Sequence, residues 1–281
     1  MTTPPHIPLQ NLSADRPQRS VAMVTGASSG IGLAIAQRLA ADGYDLAICA
    51  RRQQRLMEVA QSLRQQGVTV LAQTVDLRDE AQILSFFAAV KNHWGRLNVL
   101  VNNAGLGHNE PMMTGKTDAW REMLDVNVLA LCICTREAIS LMNETETETV
   151  GLPTSEVGAA TEATVKAGQI VHISSMSGHR VPAIAGIYSA TKFAVRSLSE
   201  TLRRELRAAN SNIRITAISP GIVETEFAQK YHQSVEQAKT TYSQFPVLQA
   251  SDIANAVAYA LSQPSHVEVN DILLRPTQQS S

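Results

Sequence analysis

Apolar residues fall into two spacings along this chain. Short unbroken runs, SVAMVT (20–25), YDLAICA (44–50), VTVLAQTVD (68–76) and LNVLVNN (97–103), are separated by segments in which apolar positions recur every three or four residues. The runs predict strands, and GLAIAQRLAADG (32–43), QQRLMEVAQSLRQQG (53–67) and DEAQILSFFAAVKNHWG (79–95) predict helices. Strands of such continuous apolar character suit a parallel sheet covered on both faces. Their regular separation by helices predicts βαβ units joined by right-handed crossovers.

The alternation continues beyond a long helical zone, from 117 to about 142. Residues 143–168, NETETETVGLPTSEVGAATEATVKAG, are rich in Thr, Glu, Gly and Ala and read as a weakly structured surface insertion. Then follow the strand QIVHISS (169–175), a helix over 188–209, the strand NIRITAIS (212–219) and an irregular region at 220–247. The helix SDIANAVAYALSQ (251–263) and the strand VEVNDILLR (267–275) close the pattern. The expectation is one doubly wound α/β domain of about seven strands over 19–276, with no repeat or composition break to mark a second. Residues 1–18, rich in proline and polar residues, read as a disordered lead without the apolar centre of a secretory signal, and 277–281 as a tail.

Composition narrows the function. Of 281 residues, 44% are hydrophobic and 17% charged, as in ordinary globular proteins. A net charge of −1 and 4% aromatics offer neither a basic footprint nor a stacking surface for nucleic acid. No apolar run approaches the roughly 20 residues of a membrane span. Cys49, Cys132 and Cys134 sit in apolar contexts. Cys132 and Cys134 lack neighbouring ligands at metal-site spacing, so no metal is expected, and buried reduced thiols fit a cytoplasmic protein.

Candidate chemistry begins where the first strand runs into TGASSGIG, Thr25 to Gly32. Glycines at a strand-to-helix turn let backbone N–H groups approach a pyrophosphate at the helix N-terminus. The spacing, Gly26-x-x-x-Gly30-x-Gly32, departs from the G-x-G-x-x-G form, and a plain tight turn is the simpler alternative. At the end of the second strand, where an acid would bind a ribose 2′-OH, stand Arg51 and Arg52. Guanidinium groups pair with phosphate, which points to NADP(H) in preference to NAD(H); two solvated arginines starting a helix are the alternative. Asp76, ending the third strand, suits either an adenine contact or a place beside a helix cap. In GIYSATKFAVRSLSE (186–200), Tyr188 and Lys192 lie four apart on one helix face, about 5–6 Å between Cβ atoms.

Taken together, TGASSGIG, Asn102-Asn-Ala-Gly105, Asn127 in LDVNV, Ser175 in HISSMSG, Tyr188-Ser-Ala-Thr-Lys192 and Pro220-Gly221 with Thr225 resemble the short-chain dehydrogenase/reductase superfamily, from Ser20 to Pro276. The resemblance implies a single-domain Rossmann fold with strand order 3-2-1-4-5-6-7. It implies a catalytic tetrad of Asn127, Ser175, Tyr188 and Lys192, with Ser175 selected over Ser174 and Ser177 because it lies thirteen residues before the tyrosine. Tyr188 would serve as general acid/base, its phenol lowered in pKa by the lysine ammonium and a positively charged nicotinamide. Ser175 would hold the substrate oxygen, and Asn127 would anchor a water in a proton relay.

The same resemblance sets the cofactor against Gly26, Ser28, Ser29, Gly30, Ile31 and Gly32; Arg51 and Arg52; Asp76 and Leu77; Asn103, Ala104 and Gly105; Tyr188 and Lys192; and Pro220, Gly221, Val223 and Thr225. It implies an NADP(H)-dependent oxidoreductase acting on a ketone, aldehyde or secondary alcohol, with a lean toward the 3-hydroxy acid dehydrogenase and 3-oxoacyl reductase group. A catalytically silent NADP(H)-sensing protein of the same fold is the alternative. Substrate contacts are expected from 222–248, with Phe227, Tyr231, Tyr242 and Phe245; His179 could face the substrate and His108, Met112 and Met113 could edge the pocket, with ordinary filler the alternative for the methionines, and His172 is expected in the core. A homo-oligomer, dimer or tetramer, is expected through the central helices, including LALCICTREAISLM, and the last strand.

Overall fold

The computed structural model describes residues 19–150, 168–182 and 186–280. Seven parallel strands form one sheet in the order β3-β2-β1-β4-β5-β6-β7. They are β1 (Val21–Thr25), β2 (Asp45–Ala50), β3 (Val70–Thr74), β4 (Val99–Asn102), β5 (Gln169–Ile173), β6 (Arg214–Pro220) and β7 (Asp271–Leu274). The helices are α1 (Gly30–Ala41), α2 (Gln53–Arg64), α3 (Glu80–Trp94), α4 (Thr117–Leu124), α5 (Ala130–Val150), α6 (Gly186–Ala208), α7 (Phe227–His232), α8 (Val235–Tyr242) and α9 (Ala250–Leu261).

Period-2 alternation splits the strand side chains between two cores. Ala22, Val24, Leu46 and Ile48 pack on one face with Ile35 and Leu39 of α1, Leu56 and Leu63 of α2, and Ile253 and Val257 of α9. Val21, Met23, Ala47 and Cys49 pack on the other with Phe86 and Val90 of α3, Ile133 and Ala138 of α5, and Leu206 of α6. Every residue of β1, β2, β4, β5 and β6 is buried, which is why their sequences read as unbroken apolar runs. Cys49 and Cys134 are buried; removal from water pushes the Cys49 thiol up to about 12, so it is an inert packing group.

Elements end where local chemistry ends them. The Asp79 carboxylate accepts from the backbone N–H groups of Ala81 and Gln82 and starts α3. Gly95, at φ +66°, supplies the left-handed residue that stops it. His172 is a core residue, 1% exposed, its ring bonded to Ser199 Oγ at 2.9 Å and Thr135 Oγ1 at 3.3 Å. Burial lowers its pKa to about 4 and keeps it neutral.

Three expectations need correction. The helical zone does not end near 142, because α5 runs on to Val150; the rest of the expected insertion, like the N-terminal lead, lies largely outside the described residues. Residues 220–247 are not irregular throughout, since α7 and α8 lie within them. The last strand begins at Asp271 rather than 267. Here Arg214 Nη1 takes the carbonyls of Gln263, Pro264 and Val267 at 3.1, 2.9 and 2.6 Å, holding that stretch in a turn.

Candidate active site

In this strand order the chain turns one way from β1 and the other way from β4, which opens a crevice at their C-terminal ends. The turn after β1 fills one side of it. Gly26 has φ +69°, and an added Cβ would lie 2.9 Å from Ala104 Cα; at Gly32 it would meet Asn103 Nδ2 at 2.4 Å and Gly26 O at 2.5 Å. The crowding comes from a brace. Asn103 Nδ2 donates to Thr25 O at 2.8 Å, and Thr25 Oγ1 accepts from the N–H groups of Asn103 and Ala104 at 3.1 and 3.0 Å.

Helix α1 starts from this turn without a side-chain cap, since the Ser29 hydroxyl accepts from Arg52 Nη2 at 2.5 Å instead. An uncapped first turn beside a guanidinium and tight glycines fits a dinucleotide phosphate. Ile31 and Leu77 pack against the two cores. The Asp76 carboxylate is paired with Arg78 at 2.5 Å, which holds it below the usual carboxylate range.

Across the crevice, β5 leads into Ser175 and α6 presents Tyr188 and Lys192 on one face. Ser175 lies close enough to the Tyr188 hydroxyl to oppose the rise in its pKa. Lys192, 6% exposed, donates from Nζ to Ile173 O at 2.9 Å and lies 5.9 Å from the centroid of the Tyr188 ring. Asn127 lies in a π-helical segment, Asp125–Leu129, that interrupts the α4–α5 helix, a wider turn that is frequent at functional sites. Its amide accepts from Leu106 N at 2.9 Å and donates to Leu106 O at 2.8 Å and Thr191 Oγ1 at 3.0 Å. A Cβ on Gly105 would touch both Asn127 Oδ1 (3.4 Å) and Lys192 Nζ (3.5 Å), which puts these two side chains at one space.

Among the protein's own groups, burial pushes the Tyr188 phenol up to about 12 against the lowering effect of Ser175, with Tyr231 adding to the rise. Burial lowers Lys192 to about 8. The lysine is bonded to a backbone carbonyl rather than to the phenol, so desolvation decides both directions.

Three rings close this end. Phe227 and Tyr231 of α7 lie 5.4 and 6.1 Å from the Tyr188 ring, centroid to centroid, and all three crowd Gly107. Backbone bonding joins α7 to the facing loop, with Asn109 N to Tyr231 O at 3.1 Å. Thr225 links the two sides: its Cγ2 would lie 3.2 Å from a Cβ on Gly30, and its Oγ1 accepts from Phe227 N at 3.1 Å. Pro220 ends β6, Val223 belongs to the core, and Gly221 is pressed by Gln279, whose Oε1 accepts from Ile222 N at 3.0 Å.

Other candidates fall elsewhere. Tyr242 is a clamp, its hydroxyl donating to Thr225 O at 2.8 Å and accepting from Ala228 N at 3.2 Å. His179 turns to Ser219 Oγ at 3.0 Å and Asp271 Oδ2 at 3.6 Å, and Met113 is 95% exposed. Arg51 pairs with Glu122 Oε1 at 3.1 Å, and Glu122 Oε2 also lies 2.8 Å from His108 Nε2. Removal from water opposes ionisation of Glu122, but His108 and Arg51 hold its carboxyl below the usual range.

Glu226, Arg55, Arg78, Glu122 and Gly107 were not singled out from the sequence. Arg52 Nη1 donates to Glu226 Oε2 at 2.7 Å, Arg55 bonds the other carboxylate oxygen, and Lys230 Nζ lies at 3.1 Å. The signal for Arg55 was available: it lies three residues from Arg52 at the start of α2, hence on the same side.

Residues 20–236 match the family model for short chain dehydrogenases. The chain is 44% identical over 266 residues to dehydrogenase/reductase SDR family member 11 of Gallus gallus, covering 93% of this chain and 97% of the relative. Among solved structures it is similar to the closed form of a serine dehydrogenase complexed with NADP+, with a TM-score of 0.81, 30% identity, and 93% and 96% of the two chains covered. A short chain dehydrogenase/reductase from Burkholderia phymatum in complex with NAD gives 0.77, 25%, and 91% and 88%.

Proposed function

Because the chain belongs to the short-chain dehydrogenase family of oxidoreductases, we propose that it interconverts a ketone or aldehyde and a secondary alcohol, with NADP(H) preferred over NAD(H). The observation that carries the reading is Tyr188 with Ser175 at its hydroxyl and Lys192 5.9 Å from its ring, across the crevice from the uncapped, glycine-lined start of α1. A nicotinamide held between the β1 turn and Thr225 would supply or accept hydride. Gly26, Ser28, Ser29, Gly30, Ile31 and Gly32 would cradle its pyrophosphate, Arg52 its 2′-phosphate, and Asn103, Ala104 and Gly105 the neighbouring ribose. Support for the phosphate assignment is the guanidinium beside Ser28 and Ser29, 3.3 and 2.5 Å from Arg52 Nη2.

Tyr188 carries the proton. Hydride arriving at a carbonyl carbon leaves negative charge on oxygen, and a donor must neutralise it. A phenol held near 12 keeps its proton at neutral pH and is in the donating form for carbonyl reduction. Ser175 positions the same oxygen. Lys192, lowered to about 8, remains largely protonated at neutral pH and favours the phenolate formed after donation. Asn127 fixes Leu106 and the end of α6 through Thr191.

Phe227 and Tyr231 crowd the tyrosine and leave an apolar wall, which supports a compact carbonyl substrate. A homo-oligomer belongs to the same reading, supported by large apolar side chains exposed at Leu129 (55%) and Leu273 (51%). The three unpaired cysteines support a reducing, cytoplasmic setting. No helix among the described residues is long and apolar enough to cross a membrane.

The test is a panel of ketones, aldehydes, hydroxy acids and secondary alcohols, followed at the nicotinamide absorbance with both cofactors. Turnover with NADPH exceeding that with NADH is expected. Tight NADPH binding with no turnover on any member would overturn the enzymatic reading in favour of a nucleotide-sensing one.

A further inference from the structure

Arg52, the residue assigned to the 2′-phosphate, already holds an anion. Its Nη1 bonds Glu226 Oε2 at 2.7 Å, while Nη2 serves Ser29 Oγ and Ser28 Oγ. Of five N–H donors, three are engaged within the protein. Glu226 in turn collects three cations: Arg52 at the N-cap of α2, Arg55 in its first turn, and Lys230 one turn along α7. Although desolvation opposes it, hydrogen bonds from Arg55, Arg52 and Lys230 draw its carboxyl down to about 2, so it is ionised at every working pH.

A phosphate brought to Arg52 would therefore meet a carboxylate on the same guanidinium. Like charges at such range repel, and a phosphate monoester carries close to two negative charges at neutral pH. The carboxylate has somewhere to go, because Arg55 binds its other oxygen and Lys230 travels on the same helix. We propose that Glu226 is a specificity-determining residue: the 2′-phosphate of NADP(H) displaces it from Arg52 and leaves it on Arg55 and Lys230. The inference rests on the reading of Arg52 as the phosphate site. Glu226 directly precedes Phe227, so the exchange occurs at the base of the helix that walls the tyrosine.

The consequence is that the chain opposes its own preferred cofactor. Adenosine 2′,5′-bisphosphate and AMP separate the effect, because they differ only in the 2′-phosphate. Their dissociation constants are measured by calorimetry on the full-length chain and on Glu226→Gln, Arg52→Gln and the double variant. Glu226→Gln is expected to raise the ratio of bisphosphate to AMP affinity by about five-fold, the upper range for one partly exposed ion pair. Arg52→Gln is expected to lower that ratio, and Glu226→Gln to have no effect on it in the Arg52→Gln background. If Arg52→Gln lowers the ratio while Glu226→Gln leaves it unchanged or lowers it, the displacement proposal is overturned and the phosphate assignment stands. If Arg52→Gln does not change the ratio, the phosphate assignment fails, and the proposal with it.

Discussion

Tyr188 and Arg52 stand at the two ends of one crevice in opposite surroundings. Around Tyr188 the walls are aromatic and dry: burial raises the phenol to about 12 and lowers Lys192 to about 8, so both groups resist charge. Around Arg52 the walls are ionic and wet: Glu226 is drawn down to about 2, and the side chains of Arg52 and Glu226 are each 35% exposed. The dry end keeps the Tyr188 phenol protonated at neutral pH. The wet end holds charges in pairs of modest strength, whose partners are exchangeable at little net cost. The difference teaches that pKa control and ligand exchange need different solvation, and this chain separates them along one cleft.

The largest expected effect tests the dry end. Tyr188→Phe should lower kcat by about 10²- to 10⁴-fold, the range for a lost general acid, with NADPH still bound as judged by fluorescence titration. A loss below ten-fold would move proton transfer away from this end.

Next comes the buried ring behind the same helix. His172 has a folded pKa near 4 against an ordinary value of 6.5. Between those values the unfolded chain takes up a proton that the folded chain refuses, so stability is full above pH 6.5 and falls as pH drops toward 4. The loss should be on the order of 3 kcal/mol across that window, and urea titrations of His172→Gln should show a flatter acid limb. An identical slope in that variant would place the penalty on other groups.

The smallest effect sharpens the contrast at the wet end. Arg52→Gln should reduce the NADPH-to-NADH ratio of kcat/KM by about ten-fold, the scale of one charge-assisted hydrogen bond. Arg51→Gln should reduce it less, since Arg51 is 52% exposed and paired to Glu122. An Arg51 effect larger than the Arg52 effect would reverse the assignment of the two arginines.

How much was legible follows from range and solvent. The strands were readable because burial on both faces leaves an unbroken apolar signature, and Tyr188 with Lys192 because helix geometry fixes positions four apart. The π-helical turn at Asn127 was not, because its sequence, DVNVL, continues a helical pattern without punctuation. Glu226 was missed because its partners at positions 52 and 55 are more than 170 residues away, and no local pattern marks such a pair. The desolvation of Tyr188 was not legible because only the assembled walls create it, Phe227 and Tyr231 among them. Helices α7 and α8 escaped because their mixed composition carries little periodic signal.

Gly107 gives the dry end an adjustable width. A single methyl there would lie 2.8 Å from Phe227 Cζ, 2.9 Å from Tyr231 Cδ2 and 3.1 Å from Tyr188 Cδ2. Rings can tilt where backbone cannot, so alanine at 107 would act as a wedge, prising the aromatic lid outward from beneath. Alanine at 107 would thus shift the Tyr188 ring together with Phe227 and Tyr231, so the width of this end is set by a carbon atom the chain leaves out.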